Sequence, residues 1–233
     1  MSNPPEPPNP TPPPATPKRT RSTQDQRLAD FISATREKLL IARDDPEIAP
    51  LLAPRGFDAD RLSLGLTQQQ TLQTNFNNRQ QALGGFSQAT ATFNAHFAAD
   101  LRNVSDFRKT TRGLLKDPSA RLALGLNGSL PRDLQKFLTA ARASYTTALN
   151  TPDYLSVLAQ NGYPAATLQA LLDDLDALIT ADNAQTQAEG NAARALQQRD
   201  ATASTLTTFM GQFKTAAQIA LRGRPDLLQK LNL

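Results

Sequence analysis

The chain has 233 residues, of which 39% are apolar and 20% charged, and it contains no cysteine. This composition excludes disulfide bonds, thiolate metal sites and cysteine nucleophiles. The formal net charge is +4, and half of this excess comes from Lys18, Arg19 and Arg21 against Glu6, so the rest of the chain lacks the strong positive charge typical of nucleic-acid-binding domains.

The first segment of the chain, residues 1–23, is predicted to be a disordered, proline-rich tail. Residues 1–17 hold nine of the 17 prolines, and such a segment has too little apolar content to offset the entropy of ordering. It has two interpretations, a ligand for a proline-recognising module or a solubilising spacer, and the second is the more common. The N-terminus has no basic start followed by an apolar stretch, and no run of 18 apolar residues follows. We therefore expect neither a signal peptide nor a membrane span, and a cytoplasmic location.

After the tail, the sequence repeats itself at a spacing of 106 residues. Residues 28–62 align without a gap with residues 134–168, and eleven of the 35 positions are identical, where chance predicts about two or three. We interpret this as a tandem duplication, with repeat 1 at residues 24–130 and repeat 2 at residues 131–233. The segment Gly125–Pro131, called the connector below, lies at the boundary. Repeat 2 alone is then expected to fold.

Scarce glycine (11 residues) and abundant Ala, Leu, Gln and Arg predict an all-α fold, and the apolar periodicity predicts three antiparallel long helices in each repeat. In repeat 1 they cover about residues 25–44, 58–83 and 86–116, and in repeat 2 the second helix covers about 164–188. The apolar face of the first helix is Leu28, Phe31, Ile32, Thr35, Leu39 and Ala42, and its copy is Leu134, Phe137, Leu138, Ala141, Tyr145 and Ala148.

Short helices that begin with proline are predicted between and after the long ones. Asp45, Thr151 and Asp117 each precede a proline and are expected to cap a short helix, whereas Arg224 precedes a proline without a capping side chain. Glycine suits the left-handed residue that ends a helix. Gly56 and Gly162 are therefore expected at such ends, with Phe57 and Tyr163 folding back on the preceding helix.

Residues able to support catalysis or metal binding are few. The single histidine, His96, has Asp100 four residues later, which is the spacing of a general base pair, but an ordinary helix surface explains it better. Asp173, Asp174 and Asp176 suggest a weak cation site or, more simply, a solvated helix face. The common phosphate-loop, dinucleotide and zinc-protease motifs are missing. We therefore predict no catalytic residue, no metal site, no cofactor and no enzymatic activity.

Basic side chains near the end of repeat 1 form a candidate polyanion-binding face. They are Arg102, Arg108, Lys109, Arg112, Lys116 and Arg121. Arg108, Arg112 and Lys116 are four residues apart and line one helical face, where they could neutralise phosphates. The alternative is that these cations only complement the helix dipole. A second polar surface is the amide-rich segment 67–81, which could pair with another copy or be solvated.

Three functions are compatible with these sequence features. The first is a non-enzymatic helical scaffold or adaptor that binds a protein partner or forms a homo-oligomer. The second is DNA or RNA binding through the basic helix face and the Lys18–Arg21 end of the tail. The third is a carrier that holds an apolar ligand between helices. The duplication and the long amphipathic helices favour the first.

Overall fold

The computed structural model describes residues 23–233, and each regular element in this range is helical. The α-helices are α1 Thr23–Asp44, α2 Ala49–Leu52, α3 Ala59–Leu114, α4 Pro118–Ala123, α5 Leu134–Asn150, α6 Pro152–Ala159, α7 Ala165–Ala220 and α8 Pro225–Lys230, and a 3-10 turn covers Ala53–Arg55. No strand occurs between residues 23 and 233, which confirms the all-α prediction. The predicted tail lies outside the described residues.

The second and third predicted helices of each repeat are one helix of 56 residues, α3 in repeat 1 and α7 in repeat 2. The predicted break at Gly84 and Gly85, and its copy near Gly190, is therefore wrong. These glycines keep helical backbone conformations, and the positive φ angles of the described chain lie elsewhere, at four other glycines and at Asn232. A glycine costs a helix only about 1 kcal/mol, and packing of an amphipathic helix can outweigh such a local penalty.

The bounds of corresponding helices follow the spacing of the sequence repeat. Helix α7 begins and ends 106 residues after α3, and α5 ends 106 residues after α1. Helix α8 lies 107 residues after α4, which is the spacing expected from a one-residue slip near the end of the repeat.

The described chain divides into two compact units that do not follow the repeats. The central unit is Thr74–Thr205, and the terminal unit combines residues up to Gln73 with Leu206–Leu233. Both boundaries lie inside the long helices, so each unit takes the first part of one long helix and the last part of the other. The sequence similarity between residues 24–130 and 131–233 is observed, whereas the tandem duplication of a structural unit with these bounds stays a prediction.

The core of the terminal unit joins α1, α2, the start of α3, the end of α7 and α8. Its buried side chains are Leu39, Ala42, Ile48, Leu52, Phe57, Leu62, Phe209, Phe213, Ala217, Leu221, Leu227 and Leu231. The Phe57 ring contacts the rings of Phe209 and Phe213 edge to face, with centroids 5.6 Å apart in both pairs. Aromatic pairs with this geometry add to the stabilisation that burial alone provides.

The core of the central unit joins the end of α3, α4, α5, α6 and the start of α7. Its buried side chains are Val104, Phe107, Leu124, Leu126, Phe137, Leu138, Ala141, Tyr145, Ala148, Leu158, Leu168, Leu175 and Leu178. Phe107 is fully buried and contacts Tyr145 and Tyr163 edge to face, at centroid distances of 5.0 and 5.3 Å. Phe107 therefore ties α3 to α5 and to the turn before α7.

Most of the predicted helix ends are confirmed. Gly56 and Gly162 have φ angles of 78° and 89°, and the following N–H groups of Phe57 and Tyr163 donate to the carbonyls of Leu52 and Leu158. The Asp117 carboxylate accepts the N–H groups of Ser119 and Ala120, as a cap requires. The Asp45 carboxylate accepts the N–H groups of Glu47 and Ile48, but these belong to a turn, and α2 begins only at Ala49 without a side-chain cap, so the predicted Asp45 helix cap is wrong.

The predicted Thr151 cap is also wrong, because its side chain makes no capping hydrogen bond. Thr151 is also the residue that ends α5, and a single extended residue joins α5 to α6. Arg224 has no capping hydrogen bond, as expected.

Candidate functional site

The six predicted basic residues lie within the central unit, four of them on the last part of α3, Lys116 just after its end and Arg121 on α4. The structure separates them into two groups. Arg108 is 5% exposed and belongs to the first group. Its Nη1 donates to the Gly125 carbonyl at 2.9 Å, and its Nη2 donates to the carbonyls of Leu126 and Gly128 at 3.1 and 3.0 Å. A buried guanidinium thus holds the connector against α3.

Arg112 and Arg121 also bind backbone carbonyls. Arg112 donates through Nε to the Leu126 carbonyl at 2.8 Å and through Nη2 to the Gly128 carbonyl at 3.0 Å. Arg121 donates to the carbonyls of Leu115 and Arg112, both at 2.8 Å, which are free acceptors because they lie at the end of α3. These three arginines therefore organise the chain after α3.

Arg102, Lys109 and Lys116 form the second group. All three are exposed, and none has a hydrogen bond or ion pair within residues 23–233. The predicted polyanion-binding face is thus reduced to three exposed cations on α3 and just after its end, together with the outer atoms of Arg112. DNA or RNA binding through this face stays a prediction.

A groove of about 380 Å³ lies between α3 and the connector. The groove is lined by Ser105, Arg108, Lys109, Arg112, Gly128, Ser129 and Leu130. On α3, Ser105, Lys109 and Arg112 follow the i, i+4, i+7 spacing of one helical face. No acidic side chain is among the lining residues, so the groove is positively charged.

The electrostatics of Arg108 reflect this arrangement. Burial lowers the pKa of the Arg108 guanidinium from its usual value, and the neighbouring charge of Arg112 lowers it further. Both guanidinium groups are directed at neutral carbonyls, and neither makes an ion pair within the described chain. The groove thus keeps a positive charge that no carboxylate compensates.

His96 and Asp100, whose spacing is that of a general base pair, form no hydrogen bond with each other within the described chain. Asp100 is 3% exposed, and its Oδ2 has no hydrogen-bond partner. Burial and, to a lesser extent, the Asp174 charge raise the pKa of the Asp100 carboxyl to about 6, and His96 acts in the opposite direction. The Tyr145 hydroxyl is also buried without a partner, and burial, followed by the Asp100 charge, raises its pKa.

The three aspartates of the predicted carboxylate group have separate environments. Asp173 accepts a hydrogen bond from Gln169, and Asp176 forms an ion pair with Arg142, whereas Asp174 acts on the buried Asp100. Between residues 23 and 233, no group of three His, Asp or Glu side chains is arranged to hold a metal ion. The solvated-face interpretation therefore fits Asp173 and Asp176 better than a cation site.

A larger groove, of about 860 Å³, lies in the terminal unit between α1 and the start of α3. Ile32, Ser33, Arg36, Glu37 and Leu40 line it from α1, and Leu66, Gln69, Gln70 and Gln73 line it from α3. Gln69 is buried, and its amide donates to the Ile32 carbonyl at 3.4 Å. The amide-rich segment singled out in the sequence thus supplies one wall of this α1–α3 groove.

Sequence reasoning missed part of both grooves. The spacing of Ser105, Lys109 and Arg112 was visible, but the return of the connector to α3 depends on contacts between residues up to 20 positions apart. The available signal in the sequence was the pair of nearby glycines, Gly125 and Gly128, because glycine readily adopts the positive φ angles of a tight reversal. In the structure their φ angles are 60° and 75°.

Comparison of this chain with protein-family models, with curated proteins and with solved structures finds no match. The two grooves and the charges around them are therefore the features of the described chain that bear on function. Within residues 23–233, no helix combines the length and the apolar character required to cross a membrane.

Proposed function

We propose that this protein is a non-enzymatic helical scaffold or adaptor, and that it binds a protein partner, or a second copy of itself, through the α1–α3 groove. The observation that carries the proposal is the shape and chemistry of this groove. Half-buried Leu40 and Leu66 provide apolar surface, whereas Arg36 and Glu37 are exposed beside them. An apolar floor with a rim of mixed charge suits a helical segment of a protein better than a polyanion.

A comparison between the repeats adds support for a polar contact at Arg36. In the central unit the corresponding arginine, Arg142, forms an ion pair with Asp176 across α5 and α7. In repeat 1 the position corresponding to Asp176 is Gln70, and Arg36 makes no ion pair within the described residues. Arg36 is therefore available for an acidic side chain of a partner.

The proposal includes the tandem duplication of a helical unit. It is supported by the eleven identities between the repeats and by the equal length and 106-residue spacing of α3 and α7. In the proposed duplication, equivalent helices belong to different units, since α1 lies in the terminal unit and α5 in the central unit. One copy could then keep its surface ion pair while the other lost it.

The test uses two matched substitutions in the terminal unit. Ser33 is exposed and lines the α1–α3 groove, whereas Ser63 is exposed on α3 outside it. We expect Ser33→Arg to place a bulky cation in the groove and to abolish binding, and Ser63→Arg to leave binding unchanged. Self-association is measured by light scattering over a range of concentrations, and partner binding by quantitative affinity capture with each variant. A monomer that captures no protein, or equal binding by both variants, would contradict the proposal.

A further inference from the structure

We propose that the groove between α3 and the connector is a binding site for a phosphate-type oxyanion, either the free ion or the phosphate group of a small molecule. This site lies in the central unit and is independent of the α1–α3 groove, so it extends the proposed function. The proposal rests on the unpartnered hydrogen-bond donors of the groove, on its positive charge, and on the hydrogen bonds that fix the connector against α3.

Four hydrogen-bond donors of the groove have no protein partner within the described chain. They are the hydroxyls of Ser105 and Ser129, the Lys109 ammonium and Nη1 of Arg112, and all four residues line the same groove. Two cations and two hydroxyls are the groups that commonly bind phosphate, since charged donors give short, strong hydrogen bonds to its oxygens. The groove thus offers donors and no carboxylate acceptor.

The charge of the groove favours a dianion over a neutral ligand. Arg108 is buried where it lines the groove, and Arg112 lies close enough for the two like charges to act on each other. Repulsion between like charges in a partly desolvated position is relieved when an anion binds nearby. Lys109 adds a third positive charge at the opening, where it is exposed.

The groove is also held in place before any ligand binds. Both arginines donate to the carbonyls of Leu126 and Gly128, which fixes the connector and the side chain of Arg112 relative to α3. A site whose donors are already oriented loses less entropy when it binds its ligand. The volume of about 380 Å³ falls within the range of small-molecule sites, and it leaves room for more than an inorganic ion.

The corresponding positions of repeat 2 lack this set of donors. Ser105, Lys109 and Arg112 correspond to Gly211, Thr215 and Gln218. The groove in the terminal unit that includes Gly211 and Thr215 takes its two cations, Arg55 and Arg61, from outside α7. Arg108 has a basic counterpart in Lys214, so the part of the site that is specific to one repeat is the set of donors from Ser105, Lys109 and Arg112.

The test is calorimetric titration of the full chain with sodium phosphate in a buffer of low chloride concentration, followed by glycerol 3-phosphate, with glycerol as the ligand without phosphate. We expect both phosphates to bind and glycerol not to bind. Tighter binding of glycerol 3-phosphate would identify a phosphorylated small molecule as the ligand, and equal binding would identify the free ion.

The matched variants are Lys109→Gln in the groove and Lys116→Gln outside it. Both lysines are exposed and without partners in the described chain, so both variants should fold with unchanged melting temperatures. Loss of one charged hydrogen bond should weaken phosphate binding about tenfold in Lys109→Gln, whereas Lys116→Gln should bind as the wild type does. Absence of phosphate binding, or equal weakening in both variants, would overturn the proposal, because the second result indicates attraction by overall charge.

Discussion

The buried carboxyl of Asp100 should destabilise the folded protein at neutral pH, and Asp100→Asn should remove this effect. The side chain is 3% exposed, and its Oδ2 lacks a hydrogen-bond partner. The groups that act on it are Asp174, which disfavours its charge, and His96, which favours it, and the buried Tyr145 hydroxyl is nearby. An ionised carboxylate in this position loses its hydration without gaining a counter-ion.

The magnitude follows from the pKa of Asp100. Its value rises from 3.8 to about 6 on folding, and each pKa unit corresponds to about 1.4 kcal/mol. The ionised side chain therefore costs up to about 3 kcal/mol of the free energy of unfolding. Because the folded state binds the proton more tightly, this cost is present above pH 6 and disappears as the pH falls through 6 towards 4.

We expect Asp100→Asn to be more stable than the wild type by up to about 3 kcal/mol at pH 7.5, and this difference should shrink towards zero near pH 4. The assay is urea denaturation followed by circular dichroism at several pH values. Asp106→Asn, an exposed position on the same helix, is the control and should change stability by less than about 0.5 kcal/mol. A pH-independent difference between Asp100→Asn and the wild type, or no difference, would refute the reasoning.

Two further predictions concern helix packing and the division into units. A Cβ atom on Gly65 would lie 2.4 Å from Cε1 of Phe209, so Gly65→Ala should lower the free energy of unfolding by about 1–3 kcal/mol. Gly84 has open space around it, so Gly84→Ala should raise the free energy of unfolding by up to about 1 kcal/mol. Urea denaturation measures both changes, and equal effects of the two variants would contradict the packing argument. The fragment 74–205 contains the whole core of the central unit and should give the dispersed NMR spectrum of a folded protein. The fragment 131–233 lacks Val104 and Phe107 of that core and should not, which reverses the expectation from sequence that repeat 2 folds alone; a well-folded 131–233 would show that the repeat is the folding unit.

The helix faces and helix ends were largely predictable, because they depend on residues close in sequence. The predicted face of the first helix supplies Ile32, Thr35, Leu39 and Ala42, all of which are buried. The left-handed helix end at Gly56 is predictable for a similar reason, since the preference for glycine there is a property of the single residue.

The continuity of α3 was not predictable from the same signals. Gly84 and Gly85 disfavour a helix locally, but apolar residues on both sides keep the packing of the helix favourable. Phe76 is buried before the glycines, and Val104 and Phe107 are buried after them. The energy that keeps the helix continuous thus comes from tertiary contacts, which a window of a few residues does not contain.

The candidate site shows the same limit. Arg108, Arg112 and Lys116 have equal spacing in the sequence, which placed them on one face and suggested one role. The structure gives the two arginines backbone carbonyls of the connector and leaves the lysine exposed. The different environments of the two arginines and the lysine are set by the path of the chain after α3, and the spacing of residues along the helix does not predict that path.

The interleaving of the chain between the two units also sets the order in which the protein can fold on the ribosome. The central unit is complete once residue 205 has been synthesised, whereas α1 must wait for Leu206–Leu233, roughly 160 residues after its own end. At about 5–20 residues per second, this delay is on the order of 8–30 s. During that time the core that contains Leu39 and Ala42 lacks the members that come from Leu206–Leu233, among them Phe209 and Phe213, so the nascent chain is expected to be a substrate for chaperones that bind exposed apolar segments.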